Sequence, residues 1–69
     1  RWVGKQATVI EDIPARGLGT VRLDREQWRA ESDTDTVIPR GSTVLITKVD
    51  GTRLFVLPLE LAEPETEQS

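Results

Sequence analysis

The chain contains no cysteine and no histidine. Their absence excludes disulfide bonds, zinc sites built on these residues, thiol nucleophiles and histidine acid–base catalysis. Long apolar runs are missing as well: no stretch approaches the roughly 20 residues that a membrane-spanning helix needs, and nothing resembles a signal peptide. Methionine is also absent and the first residue is Arg1, so we expect the chain to be part of a longer protein.

Most of the chain also lacks a large excess of either charge. The net charge is −3, but four acidic residues lie in the last ten positions, which leaves eight acidic against nine basic residues elsewhere. A body so close to neutrality provides no basic field for binding phosphates. We expect one small barrel domain at residues 1–59, followed by an acidic, disordered tail at residues 60–69.

What the sequence does contain is a strong β-hairpin signal. Residues 43–49 and 53–57 are rich in β-branched and aliphatic side chains, and they flank Asp50 and Gly51, a pair that suits a two-residue turn. Side chains alternate along a strand, and opposed residues share a face. The residues predicted to point inward from this part of the hairpin are Val49, Leu54 and Val56.

The first arm of the hairpin does not keep its apolar residues in phase with Val49. Val44 and Ile46 have the opposite parity, so a β-bulge near Thr47 and Lys48 is needed to bring the aliphatic residues to one side. With the bulge, the outer face carries Leu45, Phe55 and Leu57. Without it, Leu45 joins the inward residues of the second arm, and Val44 and Ile46 join Phe55 and Leu57 on the other face.

The remaining segments predict three further strands and almost no helix. Alternating patterns indicate strands at residues 5–11, 19–24 and 27–32, with a turn at residues 24–26. Residues 12–19 hold one proline and two glycines and are predicted to form a loop. Ile38 is expected to enter the core and Trp2 to cap one end. Five short strands predict an all-β fold, a small OB-like or SH3-like barrel whose closure removes exposed edges.

No constellation of catalytic or metal-binding residues stands out. Asp33 and Asp35 share one polar stretch, but two carboxylates without a spaced glutamate do not match a calcium loop. The aromatic residues are Trp2, Trp28 and Phe55 alone, and Trp28 has inward parity, so a base-stacking surface is poorly developed. We expect no catalysis, no cofactor and no metal, and single-stranded nucleic acid binding is the alternative function.

Five short motifs follow one another along residues 3–58. They are VGK at 3–5 with Ala7, GLGTVRL at 17–23, EQWRA at 26–30, IPRGSTV at 38–44 and VDGTRLFVLP at 49–58. In their order and spacing they resemble the soluble C-terminal domain of the NfeD-like family, a small OB-type barrel. The apolar Leu45, Phe55 and Leu57 and the acidic tail depart from the usual appearance of that family.

The resemblance implies a soluble domain at the end of a membrane protein, usually after several transmembrane helices. Such proteins work with stomatin-, prohibitin- or flotillin-like partners or in the regulation of membrane protease activity, and the expected location is the bacterial cell membrane. Longer family members also carry a Clp-type serine protease domain. No part of this sequence matches that protease domain.

The predicted function is therefore a non-catalytic protein-interaction module. Its contact surface is predicted to comprise Leu45, Phe55 and Leu57, extended by the loop at residues 13–18, because exposed apolar patches often mark contact surfaces. The predicted partner is a stomatin- or flotillin-like membrane protein or a second copy of the domain. In the competing interpretation, Leu59, Leu61 or the segment around Trp2 folds over this surface within the same chain.

Overall fold

The computed structural model describes residues 2–62, which form a closed barrel. The elements are β1 (Gln6–Glu11), β2 (Leu18–Leu23), β3 (Glu26–Ser32), β4 (Thr43–Asp50), β5 (Arg53–Pro58) and α1 (Leu59–Ala62). The strands close in the order β1-β2-β3-β5-β4, and neighbours are antiparallel except for the parallel pair β3 and β5. This confirms the predicted five-stranded OB-like barrel. Most of the predicted tail lies outside the described residues, although Glu60 and Leu61 belong to α1.

The hairpin of β2 and β3 is present, and its turn is one residue shorter than predicted. Leu23 pairs directly with Glu26, so only Asp24 and Arg25 lie in the turn. Asp24 has a φ of 59°, a left-handed conformation that aspartate adopts more readily than most residues. Because side chains alternate along these strands, three of them lie inside the barrel: Val21, Leu23 and Ala30.

The hairpin of β4 and β5 is also present, but its turn lies one residue later than predicted. Asp50 pairs with Arg53, so Gly51 and Thr52 are the turn residues. Gly51, with a φ of 64°, has the only positive φ in this turn. Glycine with positive φ at the first central position is typical of a type II′ turn. The predicted turn was wrong because it needed positive φ at Asp50 as well, which costs aspartate more than glycine.

The β-bulge predicted in the first arm is confirmed. Ile46 lies opposite Val56 and Lys48 lies opposite Phe55, so the register shifts at Thr47. The extra residue changes the parity of β4 and brings the aliphatic side chains of both arms inside the barrel. At most 2% of each residue's surface is exposed in Val44, Ile46, Leu54 and Val56. The alternative without a bulge is wrong.

Val49 departs from the predicted inward set. It lies opposite Leu54, on the face expected for it, yet it is 38% exposed. The reason is the length of β4: β1 pairs with β4 only between Thr43 and Leu45, so the far end of the hairpin extends past its neighbour. Side-chain parity alone does not reveal where a barrel ends.

Residues outside the strands close the barrel. Ile13 and Ile38 form an isolated bridge with reciprocal backbone hydrogen bonds of 2.9 Å, and both side chains are buried. Before β1, Trp2 packs edge-to-face on Trp28 with ring centroids 4.6 Å apart, and both rings contact the core. The predictions for Ile38 and Trp2 are confirmed. Ile13, however, is fully buried and cannot contribute to a contact surface, because its backbone bridge draws the loop inward.

Gly19 is the glycine at which the chain is packed most closely. A Cβ atom there would lie 2.5 Å from the carbonyl oxygen of Asp12 and 2.7 Å from Cγ1 of Ile13. At Gly51 a Cβ atom would meet nothing within 4 Å, and only the positive φ opposes it. We expect Gly19→Ala to lower the free energy of unfolding by about 3 kcal/mol, and Gly51→Ala by about 1 kcal/mol. Urea denaturation measures both, and equal losses would contradict this packing.

Candidate interaction surface

Three apolar side chains lie together on the outer wall of the central hairpin. Leu45 on β4 faces Leu57 on β5 across the ladder. Phe55 lies two residues before Leu57 on β5, between Lys48 on β4 and Glu31 on β3. All three apolar side chains are half-buried, whereas the residues between them along both strands point into the core. The bulge thus brings Leu45, Phe55 and Leu57 into one group, called here the outer patch.

Charged side chains border the outer patch. The ammonium nitrogen of Lys48 lies 5.3 Å from the centre of the Phe55 ring, within the range of a cation–π contact. The guanidinium of Arg53 donates a hydrogen bond of 3.0 Å to the carboxylate of Glu31. Because this ion pair is partly exposed, its contribution to stability is well under about 1 kcal/mol. The rim therefore carries both signs of charge around an apolar centre.

Sequence reasoning did not identify these two contacts. Lys48 reaches Phe55 because the bulge places the two residues opposite each other. Glu31 reaches Arg53 because β3 and β5 pair in parallel, with Glu31 opposite Phe55. The sequence shows only that arginines and carboxylates alternate with the inward-facing residues of the strands. This pattern indicates cross-strand ion pairs but does not specify which residues pair.

In the competing interpretation, Leu59, Leu61 or the segment around Trp2 folds over the outer patch. The structure gives these residues the following neighbours. Trp2 packs on Trp28. Leu59 and Leu61 line a groove of about 500 Å³ together with the segment at residues 36–39, and the lining of that groove does not include the outer patch. Leu61 remains 61% exposed. The short helix α1 packs against β4 and β5, and Leu45, Phe55 and Leu57 remain half-buried.

Two of the residues considered for metal or nucleic acid binding, Asp35 and Trp28, make contacts with other side chains. Asp35 accepts a hydrogen bond of 3.1 Å from Nε of Arg16. Trp28 donates its indole N–H to the carboxylate of Glu26 over 3.2 Å. A carboxylate beside the indole opposes the approach of a phosphate backbone. Within residues 2–62, no three acidic side chains are grouped closely enough to hold a metal ion.

The comparison with protein families decides which class of domain this is. The model of the NfeD-like C-terminal, partner-binding domain matches residues 1–58. The chain belongs to the NfeD-like family. This confirms the resemblance drawn from the five motifs, and it assigns the barrel to a class of domain that binds partners.

Three solved structures of NfeD-like or related domains have the same fold. The soluble domain of a Corynebacterium glutamicum membrane protein, implicated in the regulation of membrane protease activity, is 34% identical; the alignment covers 83% of this chain and 90% of that one, with a TM-score of 0.73. The C-terminal domain of stomatin operon partner protein 1510-C from Pyrococcus horikoshii is 28% identical, with coverages of 83% and 86% and a TM-score of 0.74.

The third structure is the soluble domain of the NfeD protein YuaF from Bacillus subtilis. It is 28% identical, with coverages of 83% of this chain and 73% of that chain and a TM-score of 0.75. A comparison with curated proteins gives no match. In this NfeD-like chain, the part from residue 2 to residue 62 contains no helix with the length and apolar composition needed to cross a bilayer.

The two faces of β5 predict opposite responses to the same substitution. Leu54 is fully buried, so Leu54→Asp places a carboxylate in the core and is expected to prevent folding. Phe55 is half-buried on the outer wall, so Phe55→Asp is expected to leave a folded barrel that is less stable by about 1–2 kcal/mol. Circular dichroism with urea titration measures both. A folded Leu54→Asp variant beside an unfolded Phe55→Asp variant would contradict the assigned faces.

Proposed function

We propose that this NfeD-like domain is a non-catalytic interaction module and that the outer patch is its contact surface. The observation that carries the proposal is the outward orientation of Leu45, Phe55 and Leu57 on two adjacent, paired strands. Hydrogen-bonded strands hold the three side chains at fixed spacing, so a partner loses little of its binding energy in ordering them. The proposed domain boundary follows residue 59, where the sequence becomes acidic. The short helix α1 crosses that boundary and ends at Ala62.

Binding through the outer patch relies on burial of the apolar centre. Each Å² of apolar surface removed from water contributes about 25 cal/mol, and an aromatic side chain near the centre of a contact is a frequent source of binding energy. Lys48 lies over the ring of Phe55 in the free domain. A partner that covers Phe55 must displace this ammonium group or offer it a carboxylate, which makes Lys48 a determinant of partner choice.

The charged rim contributes specificity more than affinity. Arg53 and Glu31 form an ion pair at the edge of the outer patch and neutralise each other. Lys48 instead places its ammonium group over the ring of Phe55. Complementary charges at a rim accelerate association and reject wrong partners, with a smaller effect on the equilibrium constant. The matching partner surface is therefore an apolar patch with a carboxylate positioned for Lys48.

The proposed partner is a membrane-associated protein of the stomatin, prohibitin or flotillin type. Support comes from the relative in Pyrococcus horikoshii, which is described as a stomatin operon partner, and from the relative in Corynebacterium glutamicum, which is implicated in the regulation of membrane protease activity. The domain would act at the bacterial cell membrane, attached through transmembrane helices of a longer protein. Its part in protease regulation would be to bring the partner and the membrane protein together.

A pull-down from solubilised membranes of the source cell tests the proposal. The baits are the wild-type domain, Phe55→Asp, and the control Ile10→Asp, which adds the same charge at a half-buried aliphatic residue on β1. We expect the wild type and Ile10→Asp to recover a stomatin-like protein, and Phe55→Asp to recover at least about tenfold less, which corresponds to about 1.4 kcal/mol.

Two results would contradict the proposal. Equal recovery by Phe55→Asp and the wild type would remove the outer patch as the contact surface while leaving the partner class in place. Recovery of nucleic acid without any membrane protein, lost at raised salt, would instead indicate phosphate binding and would remove the interaction function itself.

A further inference from the structure

The far end of β4 has a free backbone edge. β1 pairs with β4 only from Thr43 to Leu45, and the segment before β1 adds one further contact, in which Ile46 exchanges hydrogen bonds of 2.8 and 2.9 Å with Gly4 and Lys5. Past Ile46, β4 continues through residues 47–50, called here the free edge. Among residues 2–62, no backbone hydrogen bond from outside the hairpin reaches this edge. All four of its side chains are exposed.

The polar backbone groups of Val49 point out of the free edge. In a hairpin with a two-residue turn, the residues that flank the turn form a hydrogen-bonded pair, and pairs alternate from there. Asp50 and Arg53 flank the turn, so Val49 and Leu54 form the next, non-hydrogen-bonded pair. The N–H and C=O of Val49 therefore face away from β5. They are placed to hydrogen-bond another strand laid along β4.

The side chains of the free edge are complementary to a second copy of themselves. We propose that two chains pair antiparallel along residues 47–50, centred on Val49, to form a symmetric dimer. In this register Lys48 of one chain lies opposite Asp50 of the other, and the symmetry produces the contact twice. The partly exposed Val49 side chains meet on the inner face. Parallel pairing in register would instead place Lys48 beside Lys48, a repulsive contact.

Two features keep this pairing short and closed. Lysine and β-bulges on an edge both limit strand addition, and here the bulge lies at Thr47. Pairing therefore ends after a few residues, and because the same edge serves both chains, a dimer leaves none of the free edge of β4 open to a third chain. An interface this small is transient, so we expect a dissociation constant on the order of 0.1 mM.

The dimer does not rest on the partner proposed for the outer patch, but it has a consequence for that patch. Lys48 and Phe55 lie opposite each other and share the outer face of the hairpin. Edge-to-edge pairing about a two-fold axis continues the sheet from one chain into the next, so both outer patches face the same side. A membrane-bound partner present in several copies would then be bound at two points, which raises avidity without any new contact.

Sedimentation analysis over a range of concentrations tests the dimer on the isolated chain, with no partner present. We expect the weight-average mass of the wild type to rise from 7.7 kDa towards twice that value near about 1 mM, and the rise to weaken at high salt because exposed ion pairs are screened. Lys48→Asp and Asp50→Lys each create two repulsive pairs in the homodimer. Each variant alone is therefore expected to weaken self-association at least about tenfold.

The deciding sample is an equimolar mixture of the two variants. In the mixed dimer, one chain carries aspartate at both positions of the pair and the other carries lysine at both. Both cross-chain contacts therefore become attractive, and the mass is expected to recover. Arg25→Asp and Asp33→Lys make the same charge changes away from the free edge and are expected to match the wild type. A wild type that stays at 7.7 kDa, or a mixture that stays monomeric, would overturn the proposal.

Discussion

The extra residue in β4 is the constraint on which the rest of this structure depends. Without the register shift at Thr47, Val44 and Ile46 would point away from Leu54 and Val56, and the barrel would lose half of the hairpin's contribution to its core. With it, those four residues are buried. A domain of this size has a small core, so it cannot dispense with them. The same shift fixes what faces outward, because each inward residue leaves its neighbour on the outer wall.

The proposed function follows from this division of faces. The inner face is filled with aliphatic side chains, and within residues 2–62 no three acidic side chains are grouped closely enough to hold a metal ion. Two surfaces of the central hairpin are accessible: the outer patch and the free edge of β4. In the two proposed contacts, the outer patch supplies apolar surface and the free edge of β4 supplies backbone hydrogen-bonding groups. Lys48 belongs to both, since it lies over Phe55 and faces outward from the free edge.

The sequence predicts the strands and the faces well, because these depend on local alternation and on the total of aliphatic residues to be buried. The bulge could be inferred because Val44 and Ile46 have no other place in a small core. The turn could not be placed to within one residue, since Asp50-Gly51 and Gly51-Thr52 both supply a glycine. The exposure of Val49 and the burial of Ile13 depend on where distant strands end and meet, which no local pattern contains.

The most direct test of this account is an NMR measurement of contacts across the hairpin. Hα atoms approach closely in the non-hydrogen-bonded pairs of an antiparallel ladder, and Val49–Leu54 provides the reference contact in either register. With the bulge, the next Hα–Hα contact towards the core joins Ile46 to Val56, and this is the result that the account predicts. A contact between Thr47 and Val56 would show an uninterrupted ladder and would contradict the assignment of the inner and outer faces.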